Sequence, residues 1–186
     1  MKTKINIRSG KLLDPFIRDY ILAKYPDFDF PTEGEVEKKI ELFKEAWKKE
    51  EKTLLKAIHK ITKLKFKANI IDCYIVSAIT RDMSAPLIIR SRYTEEEFVD
   101  VLLHELLHKL FVDNGLKKIK DLEESKTTIN HIKVFAVLKY LYLDFLKNEE
   151  RLGRVMQKSK EGNNQDYARA WEIVDERGYK EIIKGL

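Results

Sequence analysis

Two histidines four residues apart bracket a glutamate in residues 101–112, which read V-L-L-H-E-L-L-H-K-L-F-V. On a helix, positions i and i+4 share a face, so His104 and His108 present their imidazoles side by side. That spacing suits two nitrogen ligands on one zinc ion. Glu105 lies one step round the helix, where its carboxylate reaches a water beside the metal. The chemistry implied is metal-assisted hydrolysis. The chain has only four histidines, and shuffling its composition produces H-E-x-x-H in on the order of one chain in a hundred. From residue 98 to 112 the only polar side chains are Asp100, His104, Glu105, His108 and Lys109. Burying a carboxylate and two imidazoles among apolar neighbours is costly unless something pairs with them, and a metal does so. The bland alternative is a helix with one polar stripe facing water.

The elements around the motif follow from the pattern. Thr94 and Glu97 form a capping box that starts the motif helix, and Asp113-Asn114-Gly115 stops it after about Val112. Before it, N-I-I-D-C-Y-I-V-S-A-I within residues 66–79 reads as a strand. Leu87 to Arg90 reads as a short second strand opened by Pro86, which suits a sheet edge that could pair with an extended peptide. Further upstream, Asp14-Pro15 reads as an N-cap and first helical residue, with Pro26 ending that helix. Phe28 and Phe30 follow in a loop and are expected to plug into the body. Thr32 and Glu35 cap a long helix whose stripe is Val36, Ile40, Phe43, Trp47, Leu54, Ile58 and Ile61, interrupted near Glu50 or Glu51. His59 lies beside that stripe and is expected to be structural or exposed.

Downstream, residues 116–126 read as a charged connector with weak helical tendency. Ser125 to Thr128 offer caps for a strongly apolar helix from Ile129 to about Lys147. Residues 148–165 read as a frayed helix and mobile loop. A last amphipathic helix carries Tyr167, Ala170, Trp171 and Val174 and stops at Gly178, after which Ile182-Ile183 are placed to dock back. The expected fold is α+β, mostly helical, with a small sheet or hairpin beside the motif helix. We read 1–186 as one domain: N-terminal helices over 1–65, strands and two site helices over 66–147, and C-terminal helices over 148–186.

Composition narrows the classes. Charged residues make up 36% and hydrophobic ones 44%, with a net charge of +5; this is globular. The charge permits contact with nucleic acid but no motif indicates it, since Lys and Glu read as interspersed. One cysteine, Cys73, rules out an intrachain disulfide. No apolar run reaches 18 residues, and even 134–146 is broken by Lys139 and Asp144, so no membrane span is expected. No secretory signal is visible near the N-terminus, which leaves a cytoplasmic location as the expectation.

A catalytic zinc takes three protein ligands and keeps one position for water. The pattern H-E-x-x-H-x-x-G-x-x-H requires Gly at 111 and His at 114, where this chain has Phe111 and Asn114. A glutamate from the next helix is the second arrangement, with Glu123 or Glu124 as donor in a Lys-rich connector. The third is His131, in line with Val134, Phe135 and Leu138 on the apolar helix, and it is the best of the three. Residues 130–135, N-H-I-K-V-F, after H-E-L-L-H, resemble the zincin metallopeptidases of the SprT-like and YgjP-like groups. That resemblance implies His104, His108 and His131 as zinc ligands, Glu105 as general base, Phe135 packed beneath the metal, and a peptide or protein substrate. Asp100 and Asn130 are candidates for orienting the imidazoles. Tyr93, and less so Arg90 and Arg92, are candidates for steadying the tetrahedral oxyanion. The rival reading is a non-catalytic zinc-binding or interaction domain, closed by a fourth ligand drawn from His59, Cys73, Glu123 or Asp113. Oligomeric state is not legible.

Overall fold

A computed structural model describes residues 3–116, 122–161 and 164–186. It is mostly helical with one small mixed sheet, an α+β fold. Contacts divide the chain into two compact units: Met1–Lys52 with Phe66–Lys109, and Thr53–Lys65 with Leu110–Leu186.

The first unit is built on the sheet. Strand β1 (Lys4–Ser9) pairs in parallel with β2 (Ile70–Val76), Lys4 opposite Ile70 and Ser9 opposite Ile75. Strand β2 pairs in parallel with β4 (Leu87–Arg90), Cys73 opposite Leu87. The two-residue β3 (Met83–Ser84) runs antiparallel to β4, so the order is β1-β2-β4-β3. Parallel neighbours need a long crossover, which α1 (Asp14–Lys24) and α2 (Glu33–Thr62) supply between β1 and β2. Alternating Ile5 and Ile7, and Ile71, Cys73 and Ile75, are buried. Two expectations change here. The N-terminal strand β1 was not foreseen, because six residues ending in Arg-Ser carry only a short alternation. Nor is β4 an edge: β2 and β3 flank it, and its Arg90 N–H is taken by Asp82 Oδ1 at 3.0 Å. The β2 strand starts at Ile70, within the expected span.

After β1 the chain turns at Gly10, whose N–H donates to Ile75 O at 2.7 Å. A Cβ there would lie 2.6 Å from Val76 Cγ1 and 3.0 Å from Ile75 O, so only glycine fits. Asp14 does not cap its own helix. Leu13 occupies that position, and the Asp14 carboxylate accepts from Ser77 N at 2.9 Å and Ser77 Oγ at 3.0 Å. Its charge is better used holding the end of β2 than capping α1. Phe28 and Phe30 do not plug into the core: Phe28 is exposed and Phe30 half-buried, their rings 4.7 Å apart against each other.

Helix α2 has the Thr32–Glu35 capping box, with Glu35 accepting from Thr32 N at 2.7 Å and Glu35 N donating to Thr32 Oγ1 at 3.3 Å. Its seven stripe residues are all buried. The break in the stripe falls where the two units divide, between Lys52 and Thr53, and Glu51 there accepts from Ile5 N at 3.1 Å. Helix α3 (Glu95–Asp113) begins with the Thr94–Glu97 box. Phe98 stacks on Phe43 of α2, centroids 4.0 Å apart and planes 3° from parallel. The helix ends as the glycine stop predicts: Gly115 has φ 63°, its N–H donates to Val112 O, and Leu116 N donates to Phe111 O.

The second unit is helical. Helix α4 (Lys126–Tyr140) starts at Ser125, whose Oγ accepts from Thr128 N, and continues through one π-helical turn, Leu141–Phe145. Eight of its residues are buried, so little of it faces solvent. Residues 117–121 of the expected connector lie outside the described residues. Residues 149–160 are not frayed: α5 (Glu149–Lys160) is a regular helix capped by Asn148, which accepts from Arg151 N at 2.9 Å. Helix α6 (Gln165–Arg177) buries Ala170, Trp171, Ile173 and Val174, and Trp171 Nε1 donates to Ser159 Oγ at 2.8 Å. Gly178, φ 78°, turns the chain into α7 (Tyr179–Lys184). Ile182 and Ile183 are half-buried, and Tyr179 Oη donates to Asp144 Oδ2 at 2.7 Å. Among the described residues, no helix is long and apolar enough to cross a membrane.

Candidate metal centre

His104 and His108 stand one turn apart on α3, half-buried, with Leu102, Leu103, Leu106 and Leu107 filling the other faces. Their Nε2 atoms face each other at 3.1 Å. Two nitrogens on one tetrahedral zinc, each ~2.0–2.1 Å from it, lie ~3.3 Å apart. The pair is therefore spaced as ligands of a shared ion are. Helix α4 carries the third imidazole. His131 is buried, and its Nδ1 lies 2.7 Å from Thr127 O. A carbonyl only accepts, so Nδ1 holds the proton and Nε2 keeps its lone pair for a metal. Burial holds the His131 pKa below its ordinary value, against the opposing pull of the Thr127 carbonyl and Asp166. The neutral ring is the ligand form. The ligand atoms offered by His104, His108 and His131 all lie within 4.8 Å of one another. This is the group among the described residues whose donors fit a metal ion.

Other candidates fall elsewhere. Glu123 is exposed, and Glu124 accepts from Arg169 Nε at 2.9 Å. His59 is exposed, with Nδ1 2.9 Å from Leu64 O. Cys73 is fully buried, and that burial pushes its thiol pKa well up, which disfavours the thiolate a metal needs. None of these, nor Asp113, belongs to the three-histidine group. Asp100 is half-buried one turn before His104, while Asn130 is exposed. The observed partner that orients His131 is the Thr127 carbonyl. Phe135 is fully buried one turn on, its ring centroid 5.4 Å from that of His131.

Glu105 is half-buried with its carboxyl pKa pushed up to about 8. Burial is the main cause, Asp82 adds to it, and Arg90 and Arg81 oppose it. Asp82 and Arg90 are themselves locked together. Arg90 Nη2 donates to Asp82 Oδ2 at 2.5 Å and Nε to Oδ1 at 3.3 Å. Tyr93 Oη donates to Asp82 Oδ2 at 2.6 Å and accepts from Arg90. That arrangement bears on the oxyanion candidates. The Tyr93 phenol is buried and its proton is directed at Asp82; burial first, then that carboxylate, holds its pKa up. Arg90 is likewise engaged, and Arg92 is exposed over the Tyr93 ring. Of these side chains, Arg90 acts on the Glu105 carboxyl, lowering its pKa against burial and Asp82.

Sequence reading missed two neighbours. Tyr167 lays its ring 4.1 Å from His131, and Asp82 immediately precedes β3. Tyr167 has the spacing of an ordinary core stripe with Ala170, Trp171 and Val174, and no local pattern marks Asp82. A cavity of about 420 Å³ lined by Ser9, Asp14, Arg18 and Thr32 holds none of the motif residues. Its Asp14 is taken by Ser77 and its Arg18 by Pro31 O. No family model, curated protein or solved structure matches the chain.

Proposed function

We propose that the protein is a zinc-dependent peptidase of the H-E-x-x-H type, as the resemblance to the SprT-like and YgjP-like groups implies, working on a peptide or protein substrate in the cytoplasm. One observation carries the reading: three of the chain's four histidines bring ligand atoms within 4.8 Å of one another. His104, His108 and His131 would hold the ion. The chemistry zinc supplies when bound is Lewis acidity, which polarises a scissile carbonyl and brings the pKa of a water towards ~7. Glu105, one residue from His104, takes the proton of the attacking water and passes it to the leaving amine. Burial alone favours the protonated carboxyl of Glu105; a zinc ion held by the three imidazoles would favour the carboxylate, the form that can take a proton. The Thr127 carbonyl keeps His131 in the ligand tautomer, and apolar α3 and α4 residues hold the rings in place.

The test is zinc stoichiometry by mass spectrometry on the purified chain, together with hydrolysis of a quenched fluorescent peptide library. One zinc per chain is expected, removable by chelator with loss of hydrolysis. Glu105→Gln should retain zinc and lose ~10²–10⁴ in kcat/KM. Full activity in Glu105→Gln would sink the mechanism, and a zinc-free wild type would sink the metal centre.

A further inference from the structure

The lysines of this chain are less evenly spread than they first read. Residues 48–67 hold eight lysines against two glutamates, while the whole chain carries a formal +5. This short segment therefore exceeds the net charge of the entire molecule. Much of it lies along the single continuous helix α2. Lys49, Lys52, Lys56 and Lys60 recur at steps of three, four and four. At 3.6 residues per turn they fall within roughly 80° of one face. All four are exposed. Lys63, also exposed, follows in the same register just past the helix end, where the backbone turns with φ 60°. A rise of 1.5 Å per residue spreads Lys49 to Lys60 over ~16 Å, with ~5–6 Å between successive charges.

The charge is uncompensated. Lys11, Lys39, Lys44 and Lys180 each meet a carboxylate. Among the described residues, none of the five stripe lysines does, and Lys60 meets only the face of Phe145. The two glutamates of the segment project more than ~100° away from the centre of the stripe. Glu51 is turned onto Ile5 N, and Glu50 is half-buried. Like charges at i,i+4 destabilise a helix, so a row of them costs stability that a polyanion returns.

The exposure pattern of the same segment selects the occupant. An anionic lipid surface binds a basic helix that also buries apolar side chains at the headgroups. Between residues 43 and 69 no large apolar side chain is exposed. A nucleic acid needs none, because its binding is supplied by phosphates, which recur every ~3.4 Å of axis on each strand. We propose that the α2 face carrying Lys49, Lys52, Lys56 and Lys60, extended by Lys63, binds the phosphate backbone of nucleic acid. Lysine ammoniums are point charges and the stripe holds no Asn, Gln or Arg for base edges, so binding is independent of sequence.

The test uses the full chain and two fluorescein-labelled 24-base-pair duplexes of unrelated sequence, read by anisotropy from 50 to 200 mM KCl. Five phosphate contacts give a slope of log K against log salt near ~−4.5, a weakening of about 500-fold over that range. The two duplexes should agree within about threefold. The triple variant Lys52→Gln, Lys56→Gln, Lys60→Gln should flatten the slope to ~−1.8, since glutamine keeps the helix. The control triple Lys24→Gln, Lys126→Gln, Lys184→Gln should bind as wild type within about twofold. Lysine acetylation of the unaltered protein gives a second readout: the duplex should protect the five stripe lysines and leave Lys24 reactive. An unchanged slope in the stripe variant, equal loss in the control, or absent protection overturns the proposal. So does capture by phosphatidylserine vesicles with no binding to either duplex.

Discussion

Around Glu105 the neighbours carry charge, whereas around His131 they are rings. The first set comes from the β3–β4 region: Asp82, Arg90 and Arg81 all act on the Glu105 carboxyl. The second comes from α4 and α6. Tyr167 lies 4.1 Å from the imidazole, Phe135 lies 5.4 Å away, and Trp171 stacks on Phe135 at 4.3 Å. Asp166, next to Tyr167, anchors that set by accepting from Thr128 Oγ1 at 3.0 Å and from Ser125. Both neighbourhoods oppose charge on their central group by burial, but they end differently. The carboxyl is held protonated to higher pH and coupled to a fixed ion pair. The imidazole is held neutral and in one tautomer. The neighbours of Glu105 that act on its pKa are charged side chains, while those of His131 are rings that pack on it, a backbone carbonyl that orients it and one carboxylate, Asp166.

The sharpest break in this comparison is His131→Ala. It should weaken zinc binding by more than the ~10–100-fold expected for losing a neighbour that merely orients a ligand. Competition with a chromogenic chelator measures it. If His131→Ala bound zinc as the wild type does, the aromatic neighbourhood would be packing alone. Phe135→Ala should be next, destabilising the chain by ~3–5 kcal/mol in urea denaturation, because the ring is fully buried and stacked on Trp171. A change of under ~1 kcal/mol would mean that the site tolerates a cavity beneath His131.

The third prediction concerns pH in the zinc-free protein. The folded Glu105 pKa of about 8 lies above the ordinary value of 4.5, so the folded state binds more protons between them. Stability should fall as pH rises from 4.5 to about 8 and then level off in that contribution. Glu105→Gln should remove this slope, which thermal melts across pH 5–9 would show; a slope unchanged in the variant would assign it to other groups. The smallest effect is at the start of α3. Thr94→Ala removes the acceptor for Glu97 N, 3.3 Å away, and should cost about 1 kcal/mol. Zinc affinity should be unchanged, since the cap lies well before His104.

The parts of this protein legible in sequence are those governed by short-range periodicity. The seven-residue stripe of α2, both capping boxes, the glycine stop at Gly115 and the pairing of His104 with His108 depend on contacts within a few residues. Backbone geometry enforces these whatever the rest of the chain does. The apolar line of His131, Val134, Phe135 and Leu138 was readable for the same reason. What depended on partners far along the chain was not. Asp14 has the residue type of a cap, yet long-range bonds to Ser77 claim its carboxylate. Leu87 to Arg90 has the look of an edge, yet register with β2 and β3 makes it internal. Tyr93 is a candidate oxyanion donor by its place before the motif helix, and its hydrogen bonds to Asp82 and from Arg90 are ones no local spacing sets. The sequence by itself determined which helices bear the imidazoles and which face each one occupies. Only the tertiary structure decided which charged and aromatic groups surround them, because electrostatics and burial depend on distances that local spacing does not set.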